Sequence, residues 1–124
     1  MKRVVSFLIS LIALLVLIAP PAHADYIRAG QTTPGATNWM VYEDNSIYVE
    51  VDTTDADFSN TPIYITSLGG DGAHFTTVGA SSIYKPTPTS FRIFLKKISG
   101  ADLTPDFANE MKWYINWIGI DPNS

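Results

Sequence analysis

The segment that most constrains this chain is residues 112–120, which is apolar on both sides of an extended backbone. Alternate side chains of a β-strand point to opposite sides. One side of this strand then carries Trp113, Ile115 and Trp117. The other side is also apolar and carries Tyr114, Ile118 and Ile120. Because such a strand must be covered on both sides, we expect it to lie in the middle of a sheet rather than at its edge.

The first 24 residues have the pattern of a secretory signal peptide. Two basic residues precede an apolar run, residues 4–18, which is interrupted only by serines. Ala22 and Ala24 then form the A-x-A pattern that precedes cleavage. The run is short for the ~20 residues that a membrane-spanning helix needs. We therefore expect cleavage of residues 1–24 before Asp25 and a secreted or periplasmic protein, with a retained membrane anchor as the alternative.

The rest of the chain, residues 25–124, is long enough for one domain and too short for two. It carries 6 basic and 12 acidic residues, a net charge of −6. An acidic surface repels phosphate groups, so nucleic acid is not an expected partner. We also expect no membrane insertion after signal cleavage. The sequence contains no Cys, so the domain is disulfide-free and its core must hold it together, with or without subunit association.

Two segments, residues 46–52 and 91–97, alternate with the period of a half-buried strand. A polar turn at residues 43–46 joins the first of them to a strand at residues 39–42, which predicts a hairpin. The apolar side of each alternating segment is expected in the core, together with one side of the last strand. The predicted core residues are Val49, Phe91, Ile93, Trp113, Ile115 and Trp117.

The predicted fold class is mainly β, a single antiparallel β-sandwich formed by residues 25–124. Turn signals about every 8 to 12 residues separate about six short strands, and no strand-helix-strand repeat indicates a parallel sheet. One short helix is expected before the last strand. Thr104 is a good N-cap, Pro105 suits the first helical position, and Asp106 complements the positive end of the helix dipole.

Four aromatic residues lie on the sides of the strands opposite to the predicted core: Tyr48, Tyr64, Phe94 and Tyr114. If their strands are neighbours, the rings form a stripe across the outer face of one sheet. The stripe has three interpretations. It forms ordinary cross-strand pairs or is covered by the helix. It is buried between copies of the domain. It is a platform on which sugars stack.

Asp71 and His74 belong to a glycine-rich loop that begins at residues 69–72. Three glycines in these four residues allow positive φ angles, so a turn is expected. A carboxylate three residues from an imidazole could orient it as a general base. No G-x-S-x-G motif and no set of zinc ligands accompanies the pair, so we expect a binding loop or a simple turn rather than a catalytic site.

An acidic loop with three aspartates is a candidate calcium site. The aspartates are Asp52, Asp55 and Asp57. Their spacing lacks the Gly at the sixth position and the Glu at the twelfth position of the helix-loop-helix calcium motif. A solvated acidic turn and no bound metal are therefore expected, with an irregular calcium loop as the alternative.

The order of elements after residue 61 has a family resemblance. A proline-led alternating strand at residues 62–66, a Thr- and Phe-containing strand start at residues 87–93 and a Trp-containing closing strand at residues 115–119 resemble the pattern of H-type lectin domains. That resemblance implies a six-stranded antiparallel sandwich, a trimer and carbohydrate recognition. The T-S-L-G-G loop, the S-I-Y turn and the W-x-I-N-W-I-G ending also resemble small exported β-sandwich modules without an assigned function.

We therefore expect a secreted, non-catalytic binding module without a cofactor that recognises glycans or a cell surface. The expected ligand contacts are Asp71, His74, Tyr48 and Tyr64. One alternative is a self-assembling structural subunit, a homo-oligomer that buries its outer aromatic residues. A second alternative is a small secreted hydrolase that uses His74 or a carboxylate as its base.

Overall fold

The computed structural model describes residues 24–123, so the predicted signal peptide lies outside the described residues apart from Ala24. The described chain forms two antiparallel sheets and one α-helix, and none of its helices is long and apolar enough to cross a membrane. The helix is α1 (Pro105–Glu110). The strands are β1 (Tyr26–Gln31), β2 (Met40–Glu43), β3 (Ser46–Asp52), β4 (Ile63–Gly69), β5 (Thr77–Val78), β6 (Ser90–Lys97) and β7 (Tyr114–Asp121).

The last strand lies where the sequence predicts it. One sheet has the strand order β1-β7-β4, so β7 is its middle strand. The other sheet has the order β2-β3-β6-β5, and its first two strands form the predicted hairpin. The mainly β, antiparallel architecture with one short helix before the last strand is therefore confirmed, with seven strands rather than about six.

The core lies between the two sheets. Strands β3 and β6 are paired so that Val49 lies opposite Ile93 and Val51 opposite Phe91. All of the predicted core residues are buried, and seven further large apolar residues are buried with them. These further residues are Trp39, Ile47, Val51, Phe58, Tyr64, Leu95 and Leu103.

The helix begins as predicted. The Thr104 hydroxyl accepts a hydrogen bond from the Phe107 backbone N–H at 3.1 Å, which caps the first turn. Ala108 is fully buried, and Phe107 and Met111 pack against the core at partial exposure. A helix of six residues is not stable alone, so these contacts with the sheets hold it in place.

The expectation that β7 is covered on both sides is wrong. Its inner side is buried, but Ile118 on its outer side is 43% exposed. The neighbouring strands add Ile27, Ile63 and Ile65 beside it, all more than half exposed. We call these four residues, together with the partly buried Ile120, the isoleucine face. Within residues 24–123 no further layer covers it.

A substitution at Gly119, in the middle of β7, tests the packing between β7 and its surroundings. A Cβ atom at Gly119 would lie 2.5 Å from the Phe58 ring, which is itself buried. We expect Gly119→Ala to lower the free energy of unfolding by about 1–3 kcal/mol, because the ring must move within a filled core. The measurement is urea unfolding followed by tryptophan fluorescence.

Gly72→Ala is the matched control, because a Cβ atom there would make an ordinary 3.6 Å contact with Met111. It should leave stability unchanged or raise it by less than about 1 kcal/mol. Equal unfolding midpoints for the two variants would contradict the described packing of Phe58.

Candidate functional site

The outer face of the four-stranded sheet carries a cluster of aromatic rings. Tyr48 of β3 lies directly opposite Phe94 of β6, so two of the predicted outer aromatic residues are neighbours. Their ring centroids are 5.6 Å apart. Phe94 also contacts Tyr42 at 4.7 Å and Tyr84 at 4.9 Å between ring centroids. Phe94 is therefore the centre of a cluster that brings together rings from three strands and one further segment.

Tyr84 is held beside β6 by backbone hydrogen bonds. Its N–H donates to the Arg92 carbonyl at 2.9 Å, and its own carbonyl accepts from the Arg92 N–H at 2.7 Å. The side chain is half exposed although the backbone is fixed. A residue outside the regular strands is therefore positioned as firmly as a strand residue.

The sheet edge opens between β5 and Tyr84. β5 pairs with Lys96 and Lys97, and Tyr84 pairs with Arg92, so the chain between them leaves the edge of β6 alongside Phe94. It leaves at Gly79, which has a φ of 109° and where a Cβ atom would lie 2.3 Å from the Phe94 carbonyl oxygen. Only glycine fits this position without strain.

This opening forms a groove of about 620 Å³, which we call the aromatic groove. Its apolar lining includes Tyr42, Val78, Tyr84 and Phe94. Its polar lining includes Ser46, Ser82, Glu43, Lys85, Arg92 and Lys96. A concave surface that combines apolar and aromatic side chains with polar groups is the usual character of a ligand site.

Arg92 joins the aromatic cluster to the charged groups around it. Its guanidinium carbon lies 4.7 Å from the centroid of the Tyr48 ring, a cation–π contact. Its Nε donates to the Glu50 carboxylate at 2.7 Å. This hydrogen bond raises the pKa of Arg92 above its ordinary value, so the guanidinium stays charged.

The placement of Tyr64 on an outer face is wrong. Tyr64 is only 6% exposed, and its ring lies 4.4 Å from that of Phe91 in the core. Its hydroxyl donates to the Thr87 carbonyl at 2.8 Å and therefore accepts from the Thr53 hydroxyl, also at 2.8 Å. Burial raises the pKa of the Tyr64 phenol, and the hydrogen bond with Thr53 acts in the opposite direction.

Tyr114 belongs to the other sheet, on the side of β7 that carries the isoleucine face, so it is not part of the aromatic cluster. It lies against Gly69, where a Cβ atom would be 2.4 Å from its ring. The predicted stripe of four aromatic residues therefore reduces to Tyr48 and Phe94.

Asp71 and His74 lie close together in the chain, but no hydrogen bond or ion pair joins them in the described structure. The Asp71 N–H donates to the Met111 carbonyl, and the carboxylate is exposed. His74 begins a 3₁₀ turn, and its ring lies 6.3 Å from that of Trp113, whose indole N–H donates to the Gly72 carbonyl at 2.8 Å. The glycine-rich loop therefore covers Trp113. Neither Asp71 nor His74 lines the aromatic groove.

The acidic loop contains a turn that hydrogen bonds between Asp52 and Thr54 stabilise. The Asp52 carboxylate accepts hydrogen bonds from the backbone N–H and the hydroxyl of Thr54, and these bonds lower the pKa of Asp52. Asp55 lies in a single 3₁₀ turn and Asp57 ends it in a left-handed conformation. Across residues 24–123 no three His, Cys, Asp or Glu residues are grouped to hold a metal ion.

The sequence interpretation missed Tyr42 and Tyr84. The sequence places Tyr42 in the hairpin but does not predict which face of the sheet its ring lies on. In the structure it belongs to an edge strand whose residues are all exposed. Tyr84 lies outside every strand, and only the S-I-Y turn marked its position. No local signal shows that this turn bonds to Arg92.

No protein-family model matches the chain, and no curated protein matches it. The resemblance of residues 62–119 to H-type lectin domains therefore stays a prediction. The chemistry of the aromatic groove is the basis for a functional proposal.

The position of Tyr64 in the core can be tested by removing its hydroxyl. Tyr64→Phe leaves the Thr53 hydroxyl without its partner, so we expect a loss of about 1–2 kcal/mol in the free energy of unfolding. Because the folded-state pKa of Tyr64 is raised, its protonated form stabilises the fold below about pH 10 and this contribution is lost as the pH rises further. The measurement is urea unfolding at neutral pH and at several pH values above 9.

Tyr48→Phe is the matched control, since the Tyr48 hydroxyl makes no hydrogen bond with residues 24–123. It should unfold at the same urea concentration as the unchanged protein. A Tyr64→Phe variant that is fully stable would place the Tyr64 hydroxyl outside the core.

Proposed function

We propose that the protein is a secreted, non-catalytic binding module that recognises glycans through the aromatic groove. The observation that carries the proposal is the position of Phe94 among three tyrosines, beside an opening in the sheet edge. Secretion rests on the signal peptide pattern of residues 1–24.

The groove has the two kinds of surface that a sugar needs. One face of many pyranose rings exposes mainly C–H groups, which pack on flat aromatic rings, while the hydroxyl groups at the edge need hydrogen-bond partners. Tyr42 and Tyr84 supply ring surface and hydroxyl groups together, and both are about half exposed. Ser82 and Glu43, which are exposed, supply further hydrogen-bonding groups of the lining.

The groove is also built on a rigid support. Phe94 belongs to β6, which pairs with β3 along its whole length, and the backbone of Tyr84 is bonded to the same strand. A site that is already formed loses little side-chain and backbone freedom when a ligand binds. This favours recognition without a large rearrangement.

A non-catalytic role is supported by the separation of the candidate base from the groove. His74 and Asp71 were the residues proposed for a hydrolase, and neither lines the aromatic groove. Their loop contacts Trp113 instead, and no hydrogen bond orients the imidazole towards the carboxylate within the described residues. The hydrolase alternative has no assembled pair in this loop.

Removal of one exposed ring tests the binding proposal. Tyr84→Ala deletes a ring that is 49% exposed and lines the groove. We expect binding to the strongest ligand on a glycan array to weaken about tenfold, which corresponds to about 1.4 kcal/mol. Affinity is measured by isothermal titration calorimetry, and folding is checked by the urea midpoint.

Phe75→Ala is the matched control, because Phe75 is 85% exposed but does not line the groove. It should bind the same glycan as tightly as the unchanged protein. The proposal fails if no glycan binds, or if Tyr84→Ala and Phe75→Ala bind equally well.

A second candidate function is self-association. The isoleucine face is a better contact surface for it than the outer aromatic residues. This face carries no charged side chain, so two copies of an acidic chain repel each other least when they meet there. The area that this face can contribute is small. A patch three strands wide and five residues long along each strand covers roughly 250 Å². A stable interface needs about 800 Å² from each partner, so we expect weak association.

Multi-angle light scattering over a range of concentrations tests this second candidate. We expect the mass to rise above that of one chain at high concentration, and Ile65→Glu to restore the monomer because it buries a charge in the contact. Val41→Glu, at an exposed position of the other sheet, should still associate. A monomer at every concentration would exclude self-association.

A further inference from the structure

We infer that the glycan bound in the aromatic groove is acidic and carries a carboxylate or sulfate group on its sugar rings. The inference rests on the proposed function and adds the charge of the ligand. Three observations carry it: the distribution of charges over the chain, the lack of ion pairs at both lysines of the groove, and the unused hydrogen-bond donors of Arg92.

Charge is distributed very unevenly between the groove and the rest of the chain. Residues 25–124 contain 6 basic and 12 acidic residues. Three of the six basic residues line the groove, namely Lys85, Arg92 and Lys96, but only one of the twelve acidic residues does, namely Glu43. The groove is therefore a positively charged site on a negatively charged protein. A neutral sugar would give no reason for this arrangement.

The lysines of the groove are not neutralised by the protein itself. Neither Lys85 nor Lys96 forms an ion pair with any residue of the described chain, in which the one ion pair is between Arg92 and Glu50. Lys96 lies on the outer side of β6, opposite Ser46, and next along that side is Phe94. Its charge is therefore close to the central ring and available to a ligand.

Lys85 is placed at the opposite wall by the backbone. It follows Tyr84, whose two hydrogen bonds to Arg92 fix the chain, and it precedes Pro86. Lys85 itself has a φ of 49°, the left-handed region that non-glycine residues adopt infrequently. This conformation is held between a fixed residue and a proline, so the backbone of Lys85 is fixed at the groove that it lines.

Arg92 retains most of its hydrogen-bonding capacity. Only its Nε is used, in the bond to Glu50, and its two terminal amino groups make no hydrogen bond with residues 24–123. The guanidinium carbon lies 4.7 Å from the centroid of the Tyr48 ring. A planar fork of N–H donors matches the paired oxygen atoms of a carboxylate or sulfate group. The ring contacts and the anion contact would therefore act on one sugar or on two neighbouring sugars.

A glycan array that presents the same oligosaccharide in neutral and acidic forms tests the inference. Suitable probes are β-1,4-mannohexaose, its uronate counterpart β-1,4-mannuronohexaose and 6-O-sulfated mannohexaose, with other backbones presented in the same three forms. We expect an acidic form to bind at least about tenfold more tightly than its neutral counterpart. The uronate and sulfate forms together identify which anion is bound. Because the attraction is electrostatic, this preference should decrease when the salt concentration is raised from about 0.05 to about 0.5 M.

The double variant Lys85→Gln/Lys96→Gln assigns the preference to the groove. It should bind the acidic form roughly threefold to tenfold more weakly and leave any binding of the neutral form unchanged. Lys97→Gln/Lys112→Gln changes the net charge of the protein by the same amount at positions that do not line the groove, and it should keep the preference.

The outcomes separate the inference from the proposed function. If neutral forms bind as tightly as acidic forms and Tyr84→Ala still weakens binding, the inference is wrong and the binding proposal stands. If both double variants weaken binding equally, the effect comes from the net charge of the protein, and the groove does not recognise the anion. If no glycan binds in any form, the proposed function and the inference both fail.

Discussion

Burial of apolar side chains between the two sheets is the constraint on which the rest of this structure depends. The sequence contains no Cys, so no disulfide can replace that burial. Phe91, Ile93 and Ile115, which come from both sheets, are completely buried, and so is Trp113, which directly precedes β7. Because alternate side chains of a strand point to opposite sides, fixing the inner residues also fixes which residues face outward. The outer surfaces are therefore a direct consequence of the core.

The two outer surfaces differ in a way that separates their roles. The three-stranded sheet presents isoleucines without charges, which suits contact with another apolar surface. The four-stranded sheet presents aromatic rings mixed with Arg92, Glu50 and Lys96, which suits a polar ligand with apolar faces. Only the second sheet has an interrupted edge, because β5 is two residues long and Gly79 directs the chain away from β6. The interruption turns a flat aromatic surface into a groove.

The sequence predicts the strands whose two sides differ clearly, and it fails where both sides are apolar. Residues of β3 and β6 alternate between apolar and polar, so their buried sides were predicted correctly. In β4 the isoleucines at 63 and 65 alternate with Tyr64, and hydrophobicity alone favours the wrong side. Tyr64 is buried because Thr53 and Thr87 satisfy its hydroxyl, and these partners come from distant parts of the chain. Tyr84 joins the site through backbone bonds to Arg92, which no local pattern indicates.

A positive groove on an acidic protein acts on a charged ligand over two ranges of distance. Far from the surface, an anion meets the net charge of residues 25–124, which is −6, and is repelled. At physiological salt concentration this repulsion is screened over about 8 Å. Inside the groove, Arg92 and the two lysines are part of the lining, beside the rings of Tyr42 and Phe94. In the proposed function, local attraction would therefore dominate once an acidic glycan is bound, while the acidic surroundings would repel anions that do not fit against the rings. Selectivity of the proposed site for a glycan over other anions would then depend on the aromatic contacts and the cations acting together.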